Sequence, residues 1–174
     1  MIKKLSTLVA GLALICLTGC TSPQKGTAQN DVFSPIEVAV PERPAGQQDV
    51  IQLTTPKLDT VRVGFIGLGM RGPGAVERWT HIPGTKIVAL CDLLPENAER
   101  AQKIVTNAGM EAPVLYSGSE DAWKQLCERN DIDLVYIATD WKHHAEMGVY
   151  AMEHGKHVAI EVPSAMTLDE IWAL

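Results

Sequence analysis

The chain is poor in cysteine, in aromatic residues and in positive charge. Four cysteines in 174 residues, irregularly spaced, are too few for a disulfide scaffold or a cysteine-rich zinc module. Lysine and arginine number 15 against 21 aspartates and glutamates, a formal net charge of −6. No basic stripe is offered to a phosphate backbone, so nucleic-acid binding is not expected. No hydrophobic run reaches the roughly 20 residues a membrane-spanning helix needs; the apolar stretch from Leu8 to Leu17 falls well short. What is present is ordinary globular composition, 46% hydrophobic and 21% charged, in a length that suits one domain, or one and a fragment.

The first twenty residues read as a targeting segment. Lys3-Lys4, the apolar run and then Leu17-Thr18-Gly19-Cys20 form a positive n-region, a short h-region and a small-residue cleavage site. The Leu-Thr-Gly-Cys ending resembles a bacterial lipobox, which implies cleavage after Gly19 and a lipid on Cys20; a diacylglycerol supplies the two chains that stable anchoring needs. The expectation is a signal peptide over 1–19 and an anchor in the bacterial cell envelope, periplasmic or on the outer surface. Loss of Lys3 and Lys4 would take the net charge from −6 to −8. Lys3-Lys4 is not a twin-arginine pair, so the chain is expected to cross the membrane unfolded and to acquire any cofactor outside the cytoplasm. Residues 20–60 then read as a lipidated N-terminus and flexible tether: Pro23, Pro35, Pro41, Pro44 and Pro56 punctuate a polar stretch that stays extended and solvated. Ile36–Val40 is the one place there where a short strand is expected. Of the cysteines left after cleavage, Cys91 and Cys127 read as packing residues.

From Val61 the pattern changes. Strands are expected at 61–66, 86–91, 114–116, 133–138 and 157–161. Helices are expected from Ala75 to Trp79, from Pro95 to Gly109, at about 120–129, and at roughly 143–153. A capping box, Thr167-Leu168-Asp169-Glu170, opens a further helix. Strand and helix alternate five times with short connections, the pattern of βαβ units in a doubly wound parallel sheet. The expected strand order is 3-2-1-4-5, and the apolar runs in the second and fourth strands fit burial on both faces.

The first chemistry lies in Gly67-Leu68-Gly69-Met70-Arg71-Gly72. A GxGxxG is weak on its own, but this one runs from a strand into a helix. Asp92 follows 20 residues after Gly72, at the end of the second strand, which is the context of a dinucleotide site. Gly67 permits the tight turn, Gly69 lets the backbone approach a pyrophosphate, and Gly72 allows close helix–strand packing. Free N–H groups at the helix start face the phosphates. Asp92 accepts from the adenosine ribose hydroxyls and repels a 2′-phosphate, and Leu93-Leu94 supplies no arginine; NAD is expected over NADP.

In an open α/β sheet the ligand lies beyond the carboxyl ends of the strands. Thr139-Asp140-Trp141-Lys142-His143-His144 after the fourth strand and Glu161-Val162-Pro163 after the fifth are therefore expected to line the nicotinamide half. His143 and His144 also read as a solvated helix start, and as adjacent residues they project about 100° apart, a poor metal pair. No metal is expected, and His81, His154 and His157 read as surface residues.

These segments resemble the Gfo/Idh/MocA oxidoreductases. Met70-Arg71-Gly72-Pro73-Gly74, Trp141 to His144, and His157 to Pro163 are more closely similar to glycoside hydrolase family 109, whose founding activity is α-N-acetylgalactosaminidase. The resemblance covers Val61 to Leu174. It implies that Met70, Arg71, Asp92, Trp141, Lys142, His143, His144, Glu161 and Val162 contact NAD. The broader oxidoreductases carry Glu-Lys-Pro where this chain has Glu161-Val162-Pro163, and losing that lysine favours the glycosidase branch. The mechanism so implied oxidises C3 of the sugar, eliminates the C1 substituent after loss of the C2 proton, adds water, and reduces C3 again. It needs no flanking carboxylate pair. The family also carries a C-terminal α+β substrate domain. This chain, ending at Leu174, is expected to be an N-terminal fragment that lacks it. Residues 61–174 are then an incomplete Rossmann domain that binds NAD, holds no catalytic residues and alone does not hydrolyse a glycoside. A sugar or polyol dehydrogenase and a truncated, non-catalytic binding module stand as alternatives. The implied partners are a glycan or glycoside substrate and the membrane through its lipid; a homo-oligomer is left open.

Overall fold

The structure, a computed structural model, describes residues 37–47, 51 and 53–174. The expected signal peptide, the lipidation site Cys20 and Ile36 lie outside the described residues. One compact unit runs from Ala39 to Leu174. Its elements are β1 (Val61–Ile66), α1 (Gly72–Trp79), β2 (Thr85–Cys91), α2 (Pro95–Asn107), β3 (Val114–Tyr116), α3 (Ala122–Cys127), β4 (Leu134–Ile137), α4 (His144–Glu153), β5 (His157–Ile160) and α5 (Leu168–Ala173). The five strands are parallel in the order β3-β2-β1-β4-β5, the doubly wound arrangement that the alternation implies.

Two apolar layers flank the sheet. Val63, Phe65, Leu68, Ile87 and Leu90 meet Ala75, Val76, Ala98, Ala101 and Val105 of α1 and α2. Ile66, Ala89, Cys91, Val135 and Ile137 meet Trp123, Leu126, Cys127, Met147 and Ala151 of α3 and α4. Alternation puts successive strand residues on opposite faces, and β2 breaks it once. Val63 pairs with Ile87 but Gly64 pairs with Ala89, so Val88 is an extra residue, a β-bulge. Val88 and Ala89 consequently pack on the same side, which period-2 reading does not anticipate.

Several bounds differ from expectation. Pro73 in the first turn is tolerated, since the N–H it lacks has no helical partner there, and α1 starts at Gly72 rather than Ala75. α3 is six residues long, shorter than the stretch 120–129. Glu37–Val40 is irregular and exposed, not a strand, because none of the described strands pairs with it. Part of the expected tether is tied down within this unit. Trp172 of α5 donates through Nε1 to the Pro41 carbonyl at 3.1 Å, Arg43 lies over its ring, and the Gln47 side chain bonds its carbonyl. The capping box forms as read: Thr167 accepts from the Glu170 N–H and Glu170 from the Thr167 N–H. Cys91 and Cys127 are buried free thiols, each pushed up to about 12, chiefly by burial.

Candidate functional site

The carboxyl ends of the strands open into a cavity of about 700 Å³, and its floor is built by the turn after β1. Gly67, at φ +91°, takes a left-handed conformation that a side chain disfavours. Its N–H donates to the Cys91 carbonyl at 2.9 Å. A Cβ on Gly67 would lie 2.5 Å from the Ala138 backbone, and one on Gly72 would lie 2.0 Å from the Gly67 oxygen. Both glycines are thus demanded by the protein's own packing. Gly69 is not: a Cβ there would meet nothing within 4 Å, and Gly69 lines the cavity.

The start of α1 beside it carries no side-chain cap. The N–H groups of Gly69, Met70 and Arg71 make no hydrogen bond to another described residue, so orphan donors and the positive end of the helix dipole gather at one place, which suits an anion. This space and these donors fit the pyrophosphate of a dinucleotide.

Asp92, at the end of β2, does more than sequence reasoning assigned to it. Its Oδ2 accepts from the Leu68 N–H at 2.6 Å. Its Oδ1 accepts from the Leu94 N–H and from Asn97 Nδ2, both at 2.9 Å. A carboxylate has about four acceptor sites. Three are used to hold the glycine turn and the start of α2, and one is left for a ribose hydroxyl. Arg100 Nη2 completes this corner on the Leu68 carbonyl at 3.2 Å and on Asn97 Oδ1 at 2.9 Å.

The opposite end is formed by the exits of β4 and β5. His143 Nδ1 lies 2.7 Å from Asp140 Oδ2, both side chains half-exposed. Asp140 Oδ1 accepts from the Lys142 N–H at 3.1 Å. Burial opposes ionisation of Asp140, but the His143 and Lys142 bonds outweigh it and hold the carboxyl below the ordinary range. Glu161 Oε1 accepts from the Tyr136 hydroxyl at 2.6 Å; burial, and then Glu161, push that phenol up to about 12. Trp141 and Val162 form an exposed apolar rim, 58% and 82% accessible. The Val162–Pro163 peptide is cis.

The structure brings Gly67, Gly69, Met70, Arg71, Asp92, Trp141, His143, His144, Glu161 and Val162 to this one cavity. Gly72 lies behind the turn, and exposed Lys142 is not part of the wall. Sequence reasoning missed Ser119, Glu120, Trp123 and Met147, which also line the cavity. Ser119 and Glu120 follow β3, and the rule that ligands sit beyond strand ends, extended to that short strand, would have found them. No cluster of three or more metal-ligating side chains occurs among the described residues.

Comparison with known proteins agrees with this geometry. A family profile described as Oxidoreductase family, NAD-binding Rossmann fold (GFO_IDH_MocA) matches residues 61–174. The chain is 83% identical over 174 residues to glycosyl hydrolase family 109 protein 1 of Phocaeicola vulgatus, covering all of this chain and 37% of that protein. It is 70% identical over 175 residues to the protein of the same name from Bacteroides thetaiotaomicron, again covering this whole chain and 36% of the relative. The chain thus spans little more than a third of the length of these curated relatives. Among solved structures, myo-inositol dehydrogenase from Lactobacillus casei in complex with NAD(H) and myo-inositol superposes with a TM-score of 0.55 at 28% identity, over 64% of this chain and 31% of that one. Levoglucosan dehydrogenase in complex with NADH gives 0.51 at 28% identity, over 66% and 30%.

Proposed function

We propose, from the premise that this chain belongs to the Gfo/Idh/MocA oxidoreductase family and is an NAD-binding Rossmann domain, that it supplies the cofactor-binding part of a glycosidase acting on terminal α-N-acetylgalactosamine. The observation that carries the reading is Gly69. Its missing side chain answers to nothing inside the protein, beside an uncapped helix start and a carboxylate with one acceptor site to spare. The glycosidase branch is supported by Val162, which stands where a dehydrogenase of the wider family carries its proton-relay lysine, and by the identity to the family 109 proteins.

In this reading the N–H groups of Gly69, Met70 and Arg71 hold the pyrophosphate and Asp92 takes an adenosine ribose hydroxyl. Its charge excludes a 2′-phosphate. Trp141, His143, His144, Glu161 and Val162 face the nicotinamide half, with Glu161 held in place by Tyr136. When bound, NAD supplies a two-electron acceptor that is regenerated within each turnover. The protein's part is orientation: the Trp141–Val162 rim excludes water, and the cradle fixes the dinucleotide along the strand ends. Attachment to a membrane through lipidated Cys20 belongs to the same proposal, and incorporation of a palmitate analogue that is lost in Cys20→Ala tests it.

The deciding experiment gives the complete gene product an aryl α-N-acetylgalactosaminide in deuterated water. The expected result is aryl release with no added electron acceptor and deuterium at C2 of the released sugar. Stoichiometric NADH formation from free sugars or polyols, without aryl release, overturns the glycosidase reading in favour of a dehydrogenase. Titration of the present chain with NAD and NADP tests the cofactor part separately, with NAD expected to bind more tightly.

A further inference from the structure

Among the described residues His144 is the one buried polar side chain, 1% exposed, at the first position of α4 and against the cavity. Its Nδ1 lies 2.8 Å from the Pro163 carbonyl and its Nε2 3.2 Å from the Thr139 carbonyl. These two carbonyls belong to the segments that leave β4 and β5, whose residues Thr139, Trp141, Glu161 and Val162 form one end of the cavity. Among the described residues, no other hydrogen bond joins segment 138–143 to segment 162–166. The pairing of β4 with β5 ends at Ile137 and Ile160, with the Glu161 N–H donating to the Ile137 carbonyl at 2.9 Å as the last backbone bond between them.

Lying between two carbonyl oxygens, a neutral imidazole commits its single N–H to one of them and has no donor left to offer a ligand. A neutral ring carries one N–H, and the shorter contact assigns it to Nδ1, donating to Pro163. The neighbouring histidine is the reverse case, with His143 half-exposed and its Nε2 uncommitted among the described residues. The two adjacent histidines therefore have different work, although the sequence presents them as a pair.

We infer that His144 is a positioning residue rather than a cofactor contact. It ties the exit of β4 to the exit of β5 through Pro163 and so sets the shape of the cavity end opposite Asp92, where the nicotinamide half would lie. This rests on the reading of the cavity as an NAD site. Without the tie, the two exits would have to be ordered by the dinucleotide itself, and the ordering cost would come out of its affinity. The adenosine end, built by Asp92, Asn97 and the glycine turn, shares no hydrogen bond with His144 among the described residues and would be left as it is.

The test uses two ligands on the full chain: NAD, and ADP-ribose, which has the adenosine and the pyrophosphate but no nicotinamide. Calorimetric affinities are measured for wild type, His144→Phe, His144→Asn and His144→Gln. His144→Phe is expected to weaken NAD binding roughly tenfold, the scale of one lost buried hydrogen bond, and to leave ADP-ribose within about twofold. Asparagine places its amide nitrogen near the Nδ1 position and is expected to recover most of the NAD affinity; glutamine reaches toward Nε2 and is expected to recover less. Equal losses for both ligands would make His144 a general packing residue and overturn the inference, as would unchanged NAD affinity in His144→Phe. Should that variant fail to fold, equal NAD affinities for His144→Asn and His144→Gln overturn it instead. A wild-type chain that binds ADP-ribose keeps the cofactor reading whatever His144 does; one that binds neither ligand overturns that reading and this inference with it.

Discussion

The three glycines of the turn after β1 make a sharp test, because a methyl group placed on each would meet a different obstacle. On Gly72 it would sit 2.0 Å from the Gly67 carbonyl oxygen, a backbone atom that can move only if the turn moves. On Gly67 it would both overlap the Ala138 backbone at 2.5 Å and impose a side chain at φ +91°. On Gly69 it would point into open space with no left-handed φ to resist it. Overpacking of this kind costs typically about 1–3 kcal/mol, and a left-handed non-glycine residue adds about 1–2 kcal/mol. Gly72→Ala and Gly67→Ala are each expected to lose about 3 kcal/mol, a fall in Tm of about 6–12 °C for a chain of this size. Gly69→Ala is expected to hold its Tm or gain a little, since removing a glycine's freedom from the unfolded chain stabilises by about 0.4–1 kcal/mol. Yet Gly69→Ala should bind NAD at least about tenfold more weakly, because its methyl group occupies the room meant for the pyrophosphate. Differential scanning fluorimetry with and without NAD reads both effects. The reasoning fails if Gly69→Ala melts as low as Gly72→Ala, or if it binds NAD like wild type.

Two further outcomes follow from the ion pairs and hydrogen bonds. Arg62 grips Asp133 through Nε at 2.9 Å, Nη2 at 2.6 Å and its own N–H at 2.8 Å, and the Arg62 side-chain bond holds that carboxyl below the ordinary range. Since the folded pKa is the lower one, the stabilisation is complete above the unfolded carboxylate value near 4 and is lost as pH falls through the folded value. Asp133→Asn is expected to cost about 1 kcal/mol at pH 7. Its urea-midpoint gap to wild type should narrow at pH 3, and a gap of undiminished size there refutes the assignment. Tyr136→Phe removes the 2.6 Å bond that orients Glu161 and is expected to cost about 1 kcal/mol of stability. It should also weaken NAD binding a few-fold while leaving ADP-ribose binding intact; equal effects on the two ligands would show that Tyr136 serves packing alone.

What could be read ahead of the structure was whatever depends on residues close together in the chain. The order of elements came from apolar runs broken by turn residues, and the strand order from the topology that such alternation allows. The roles of Gly67, Gly69 and Gly72 came from spacing, because a strand, a turn and a helix start fix where each backbone atom lies. The bulge at Val88 was not readable: period-2 alternation holds until two strands are in register, and only then does the extra residue show. Asp92 was read as a ribose acceptor, but its bond to the Leu68 N–H exists only once β1 and β2 lie side by side. The same reason separates the two histidines. Adjacent on one helix turn, they differ only in which of them points down between the β4 and β5 exits, and that depends on β5 lying beside β4. His144 ends buried against two carbonyls, and His143 ends half in solvent against Asp140. A motif such as Trp-Lys-His-His therefore identifies a place in the fold more reliably than a task for each letter. Here the four residues divide into an exposed apolar rim, a lysine off the cavity wall, a carboxylate-paired imidazole and a buried tie, and that division follows from the sheet order rather than from the motif.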